Sequence, residues 1–251
     1  MAPPVVSIIT PTFNRHHFLP FAAKFVLSQS ISDFEWLVLD DSPEPSEFMQ
    51  GLSDRRIIYE HTSTKLTSGG KRNHLIDKAR AAIIAQFDDD DFYAPNYLAT
   101  MLSAMDRDGS DIVKFFGFFL YNKLYKTLGF WDLNIKLGPH WIWAAAPPNM
   151  VMLTEQNNDA LKDNHLGFGF SYVFRRKVWE QGQFPDMNWN QDSVFMLNAV
   201  QRFKLTGFYD SGCTCLHVLH GSNVSHCFQQ YLIPNFLLPA LFPQAAELIA
   251  A

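Results

Sequence analysis

Two hydrophobic rhythms alternate along the first hundred residues. "VVSIIT" (5–10) is a short β-branched run closed by Pro11, while "FEWLVLDD" (34–41) and "AIIAQFDDDD" (82–91) are apolar runs that end on acids. "RRIIYEH" (55–61) is a further short strand. Between these runs, "HHFLPFAAKFVLSQS" (16–30) sets Phe18, Phe21, Ala22, Phe25 and Val26 at helical spacing, and "KRNHLIDKARAA" (71–82) reads as a second helix. Strands with little polar alternation, separated by helices, predict a mostly parallel α/β sheet covered on both faces. Ligands of such sheets sit beyond the carboxyl ends of the strands. Here those ends carry Thr10-Pro11-Thr12, Asp40-Asp41 and Asp88 to Asp91, which predicts a single acid-lined crevice on one rim.

From Asp111 the rhythm changes. "DIVKFFGFFLYNKLYKTLGFWDLN" (111–134) is aromatic-dense and strand-like, and "HWIWAAAPPNM" (140–150) reads as irregular. "FGFSYVFRRKVWEQGQF" (168–184) reads as a strand and then a helix, and "NWNQDSVFMLNAVQRF" (188–203) as a helix. These elements predict a mixed extension of the same sheet. The expected organisation is one domain over 1–228, split into a ligand-binding half (1–110) and a second half (111–228). An apolar tail (229–251) follows, interrupted by Pro234, Pro239 and Pro243. Prolines at that spacing rule out a spanning helix, so the tail is expected to pack on the domain, a membrane surface or a second copy.

Composition narrows the classes. With 251 residues, 47% apolar and 18% charged, the chain can bury a large core. A net charge of −5 with no Lys/Arg-rich run argues against a nucleic-acid partner. Three cysteines do not make a disulfide framework. The opening "MAPPVVSIITPTFNR" has no basic segment before its apolar run, so no signal peptide is expected. The predicted setting is cytoplasmic, free or peripheral to a membrane.

Four consecutive carboxylates repel one another unless something compensates, and a hard divalent cation is the natural candidate. Mg²⁺ or Mn²⁺ binds through one or two carboxylates plus substrate phosphates. If the strand continued through the acids, Asp88 and Asp90 would share one face, and Asp89 and Asp91 the other. The central Gly and terminal Glu of an EF-hand loop are absent. "TSGGKRN" (67–73) supplies a Gly-Gly turn, Lys71, Arg72 and a helix start, all suited to a phosphate. "CTCLHVLHGSNVSHC" (213–227) offers soft ligands, but its spacing matches no common zinc finger.

"VSIITPTFNR", "FEWLVLDDSP", "GGKRNHLIDKA" and "FDDDDFYAPNYL" together resemble, in order and spacing, the signature of family 2 glycosyltransferases with the GT-A fold. "FGFSYVFRRKVWEQGQFPD", "NQDSVF" and "LHVLHGSNVS" extend the resemblance to about residues 5–225. Each segment is weak alone, and their order carries the match. The resemblance implies a Rossmann-like α/β GT-A domain and a metal-dependent, inverting transfer of sugar from a nucleotide diphosphate, UDP being the commonest, to a carbohydrate or glycan hydroxyl. Pro11 and Phe13 would lie against the base, with Asp41 hydrogen-bonding it. Arg15 and Lys71 would join the donor site, and Arg72 would reach base or diphosphate. Asp88 and Asp89 would face ribose and sugar. Asp90 would bind Mn²⁺ or Mg²⁺, with His220 as a further ligand, and Asp192 would be the general base. Trp141 and Trp143, beside prolines, are acceptor candidates.

The chain departs from the family at Gln191, where Glu is common, and at Lys71, which stands in for a small residue. The rival readings are a sugar-nucleotide nucleotidyltransferase, against which "TPTFNR" lacks the glycine-rich loop, and a binding protein without catalysis.

Overall fold

The computed structural model describes residues 2–142, 149–221, 223 and 227–250. The chain opens with Val6–Thr12 (β1), Leu19–Leu27 (α1) and Phe34–Asp40 (β2). β1 continues through Pro11, at which it was expected to stop. It pairs with a strand on its other side only up to Ile9, so the missing N–H of Pro11 interrupts no ladder there. Glu47–Gly51 (α2) starts at Ser46, whose hydroxyl accepts from Met49 N, and Ile57–His61 (β3) follows. Ser68–Lys78 (α3) is capped by Thr67, whose hydroxyl accepts from Gly70 N at 2.9 Å. Ile83–Gln86 (β4) and Phe92–Tyr93 (β5) flank the acids, and Tyr97–Asp108 (α4) closes on Gly109 at φ +57°.

The second half contains Ile112–Asn122 (β6), Thr127–Asp132 (β7), Gly138–Ile142 (β8), Asn149–Leu153 (β9), Val173–Arg175 (β10), Arg176–Glu180 (α5) and Gln191–Ala199 (α6). Leu205–Tyr209 (β11), Cys215–Leu219 (β12), Phe228–Gln229 (β13), Tyr231–Ile233 (β14), Leu238–Leu241 (α7) and Ala246–Ala250 (α8) complete it. The main sheet runs β14-β7-β6-β10-β4-β1-β2-β3, with β11 and β12 pairing in parallel with successive parts of β6. β4, β1, β2 and β3 are parallel, whereas β10 is antiparallel to both its neighbours. The stretch 140–150 is a correction to the sequence reading. Its described ends belong to β8 and β9, which form a small second sheet with β13.

Alternate residues of each central strand feed opposite faces. Ile8, Trp36 and Val38 pack with α1 and α4, through Phe25 and Met101. Ile9, Leu37 and Leu39 pack with α3, α5 and α6, through Ile76, Trp179 and Phe195. Burial on both faces explains why these strands lack polar alternation. The tail also joins the fold. Phe242, Ala245 and Leu248 are buried in the first core, while Tyr231, Leu232 and Phe236 remain exposed.

One buried carboxylate braces the sheet away from the acid rim. Glu35 of β2 accepts from Ser7 Oγ, Arg80 N and Arg80 Nε, each at 2.6 Å. Burial works to raise its pKa, but these donors outweigh burial and hold it below the usual value. A depressed folded-state pKa means that the stabilisation is complete above the unfolded value and is lost as pH falls through the folded one. Glu35→Gln should therefore cost about 2 kcal/mol at pH 7, lowering Tm by about 5 °C. The gap to wild type should shrink below pH 4 in a thermal-melt series.

Candidate active site

The ends of β1, β2 and β4 meet where the topology predicts. The acids, however, do not continue β4, so the predicted alternation of faces does not occur. The strand stops at Gln86, and residues 88–91 turn back into β5, which pairs antiparallel with β12. Tyr93 pins this turn, since its hydroxyl accepts from Asp88 N (3.0 Å) and donates to Phe170 O (2.9 Å). The turn brings carboxylate oxygens of Asp88, Asp90 and Asp91 within 4.8 Å of one another and points Asp89 elsewhere. Asp89 accepts from Thr12 Oγ1 at 2.5 Å and from Arg15 at 3.0 Å.

Distant residues hold each acid. Arg15 donates to Asp90 at 2.7 Å, and His220 Nε2 lies 2.9 Å from the same oxygen. Asp91 spends both oxygens on His217 Nδ1 (3.0 and 2.9 Å) and accepts from Val218 N as well. His217 stacks on Phe170 with ring centroids 4.7 Å apart. Burial works to lower the His217 pKa, but the Asp91 carboxylate holds it well above the usual range.

Burial, followed by the charges of Asp91, Asp90 and Asp192, pushes Asp88 up to about 8 against the pull of Arg72. Burial and Asp90 push Asp89 up to about 6. Burial also works to raise Asp90, yet Arg15 and His220 hold it below the ordinary carboxylate value. Three converging carboxyl oxygens, with Asp88 and Asp91 pushed up by burial and like charge, fit a hard cation that would offset that charge, Mg²⁺ or Mn²⁺. Among the described residues no other group of acids, histidines and cysteines is so arranged.

Arg72 links this cluster to the far wall. It is buried, donates to Gln86 Oε1 at 2.6 Å, and lies 3.7 Å from Asp88 and 3.6 Å from Asp192. Asp192 sits in the first turn of α6, where the helix dipole favours an anion. Its Oδ2 accepts from Gly169 N at 3.3 Å, and its Oδ1 has no hydrogen-bond partner among the described residues.

A cavity of about 950 Å³ joins these groups. Pro11, Phe13, Arg15, Lys71, Arg72, Asp88, Asp89, Asp90 and Asp192 all line it. Lys71 turns inward, donating to Asp41 at 2.7 Å and to Thr12 O at 2.9 Å, so its charge reaches the site through Asp41. Burial works to raise Asp41, and Lys71 and Leu66 N hold it low. Trp141 packs against the main core from β8 and is absent from the cavity wall; Trp143 lies outside the described residues. Sequence reasoning missed Lys65, which sits over the Phe13 ring and 3.3 Å from Asp41. It also missed Trp189, 66% exposed on the cavity wall, although an aromatic three residues before Asp192 was a visible signal.

The model for glycosyl transferase family 2 matches residues 7–182. A relative from Escherichia coli, the UDP-Glc:alpha-D-GlcNAc-diphosphoundecaprenol beta-1,3-glucosyltransferase WfgD, is 28% identical over 151 residues, covering 53% of this chain and 60% of its own. The chain spans only 34–60% of the length of the first four curated relatives it matches. Among solved structures, S. aureus TarS 1-349 in complex with UDP-GlcNAc superposes with a TM-score of 0.61 at 13% identity, covering 89% of this chain and 60% of that one. The mannosyltransferase PcManGT from Pyrobaculum calidifontis, in complex with GDP-Man and Mn²⁺, gives 0.58 at 14%, covering 87% and 57%. At these identities the likeness establishes the fold, which is the expected GT-A architecture.

Proposed function

Because this chain belongs to glycosyl transferase family 2, we propose that it transfers a sugar from a nucleotide diphosphate, UDP in the first instance, to a hydroxyl of a glycan acceptor. The observation that carries this reading is the pairing of two acidic groups across one cavity. Asp88 and Asp90 line one wall with Asp91 buried behind them, Asp192 lines the wall at the start of α6, and Arg72 lies between, 3.7 Å from Asp88 and 3.6 Å from Asp192.

Each residue then has a role. The base rests against Pro11 and Phe13 and hydrogen-bonds Asp41, which Lys71 and Lys65 hold in place. Arg15 and Arg72 meet diphosphate charge, while Asp88 and Asp89 face ribose and sugar. Asp90 would hold Mn²⁺ or Mg²⁺, with Asp88 and Asp91 close enough to contribute and His220, 2.9 Å from Asp90, as a further ligand. A cation there would offset charge on the departing diphosphate. Asp192 accepts the proton of the acceptor hydroxyl as its oxygen bonds to the anomeric carbon. Attack from the face opposite the leaving group inverts that carbon.

The test is a nucleotide-release assay over a panel of UDP- and GDP-sugars with Mn²⁺. Release from one donor class, stimulated by an acceptor glycan, supports the reading; release from none with any acceptor would overturn it. The geometry adds a prediction. A Cβ built on Gly169 would lie 2.6 Å from the Asp192 carboxyl carbon, so Gly169→Ala should displace the base. Transfer should fall about a hundredfold with nucleotide affinity nearly unchanged, as read from kcat beside a binding titration.

A further inference from the structure

We propose that Trp189 and Gln191 form the acceptor subsite and select an uncharged pyranose as the sugar that receives the transfer. This inference rests on the functional reading above and gives that reading a substrate class. Two independent observations meet at the α6 end of the cavity.

The first is an exposed aromatic on a loop that is held in place. Trp189 is 66% exposed on the cavity wall, three residues before Asp192. Its loop is tied to the start of α3: Gly69 N donates to Met187 O at 3.1 Å, Ser68 N to Asn188 Oδ1 at 3.0 Å, and the Thr67 hydroxyl to Asp186. Gly69 is required for this contact, because a Cβ there would lie 1.9 Å from Pro185 O. An indole presented to a polar cavity from a braced loop suits the apolar face of a sugar ring, with the sugar's polar groups met by neighbouring amides.

The second observation is an amide without a partner. Gln191 lines the same cavity and is 8% exposed, and its Oε1 has no hydrogen-bond partner among the described residues. A buried acceptor without a donor is costly, and a sugar hydroxyl would supply one. The charges of the cavity define the rest. Arg15, Lys65 and Lys71 line the cavity near Phe13 and the acid turn, and Arg72 stands midway, 3.7 Å from Asp88 and 3.6 Å from Asp192. The Trp189 end carries Asn164, Asn188, Asp163 and Asp192, along with Asp159, which is paired to Lys162. An anionic acceptor would be repelled by Asp163 and Asp192, whereas a neutral one can hydrogen-bond to the same carboxylates and to the neighbouring amides without that repulsion. Where the family commonly carries Glu, Gln191 adds an acceptor and a donor without adding charge.

The test uses the full chain labelled with 5-fluorotryptophan, with the Trp189 fluorine resonance assigned from Trp189→Phe, a change at an exposed position. UDP and Mn²⁺ are added first and their binding recorded, followed by methyl β-glucopyranoside, methyl β-N-acetylglucosaminide or methyl β-glucuronide. The neutral glycosides should shift the Trp189 resonance saturably and the glucuronide should not. Gln191→Ala should weaken glycoside binding about fivefold with UDP affinity little changed. No saturable shift with either neutral glycoside, or an equal response to the glucuronide, would overturn the proposal. If UDP binds while Trp189 stays silent, this inference alone fails; if UDP does not bind, GDP takes its place in the series, and if neither nucleotide binds, the functional reading fails with it.

Discussion

Asp192→Asn is expected to lower the transfer rate about a thousandfold while nucleotide affinity stays within about twofold. Asparagine is nearly isosteric and keeps an oxygen for Gly169 N, so the wall of the cavity should hold its shape. The lost capacity is acceptance of a proton. Asp192 lines the cavity, its Oδ1 makes no hydrogen bond among the described residues and lies 3.6 Å from Arg72, and the start of α6 stabilises the carboxylate as an anion. The check is single-turnover transfer beside a binding titration. Near wild-type transfer with normal donor binding would mean that another group is the base.

Asp90→Asn should act on the other wall. Removing a partner of a metal ligand already costs about 10- to 100-fold in metal affinity, so loss of the ligand's own charge should cost at least about a hundredfold. The variant keeps an oxygen for Arg15 and His220, so the metal-free fold should persist. The comparison is the Mn²⁺ concentration needed for half-maximal nucleotide binding in each protein, with metal-free melts as the fold control. An unchanged requirement would move the metal to Asp88 and Asp91.

The central strands were legible because apolar residues on both faces fix a central strand and put polar residues at its end, although β1 runs past Pro11 to Thr12 and β4 stops at Gln86, before the acids. The helix α4 carries an equally readable signal that the sequence reading above does not use, Leu98, Met101 and Met105 at helical spacing with Gly109 as its stop. The fan of the four carboxylates was not legible. It depends on Tyr93 turning the chain and on Arg15, His217 and His220 arriving from 74 to 130 residues away. Likewise, nothing local tells that Lys71 turns to Asp41, or that Trp141 packs inward while Trp189 faces the cavity. Side-chain direction at a rim is set by long-range partners.

Calorimetric titration of UDP and GDP into the wild-type protein, with Mn²⁺ and again with EDTA, is the most direct test that this rim is a nucleotide-diphosphate and metal site. The structure predicts binding of one nucleotide with Mn²⁺, abolished by EDTA. Failure of both nucleotides to bind with Mn²⁺ would contradict the donor site, and binding that EDTA leaves intact would contradict the metal's part in it.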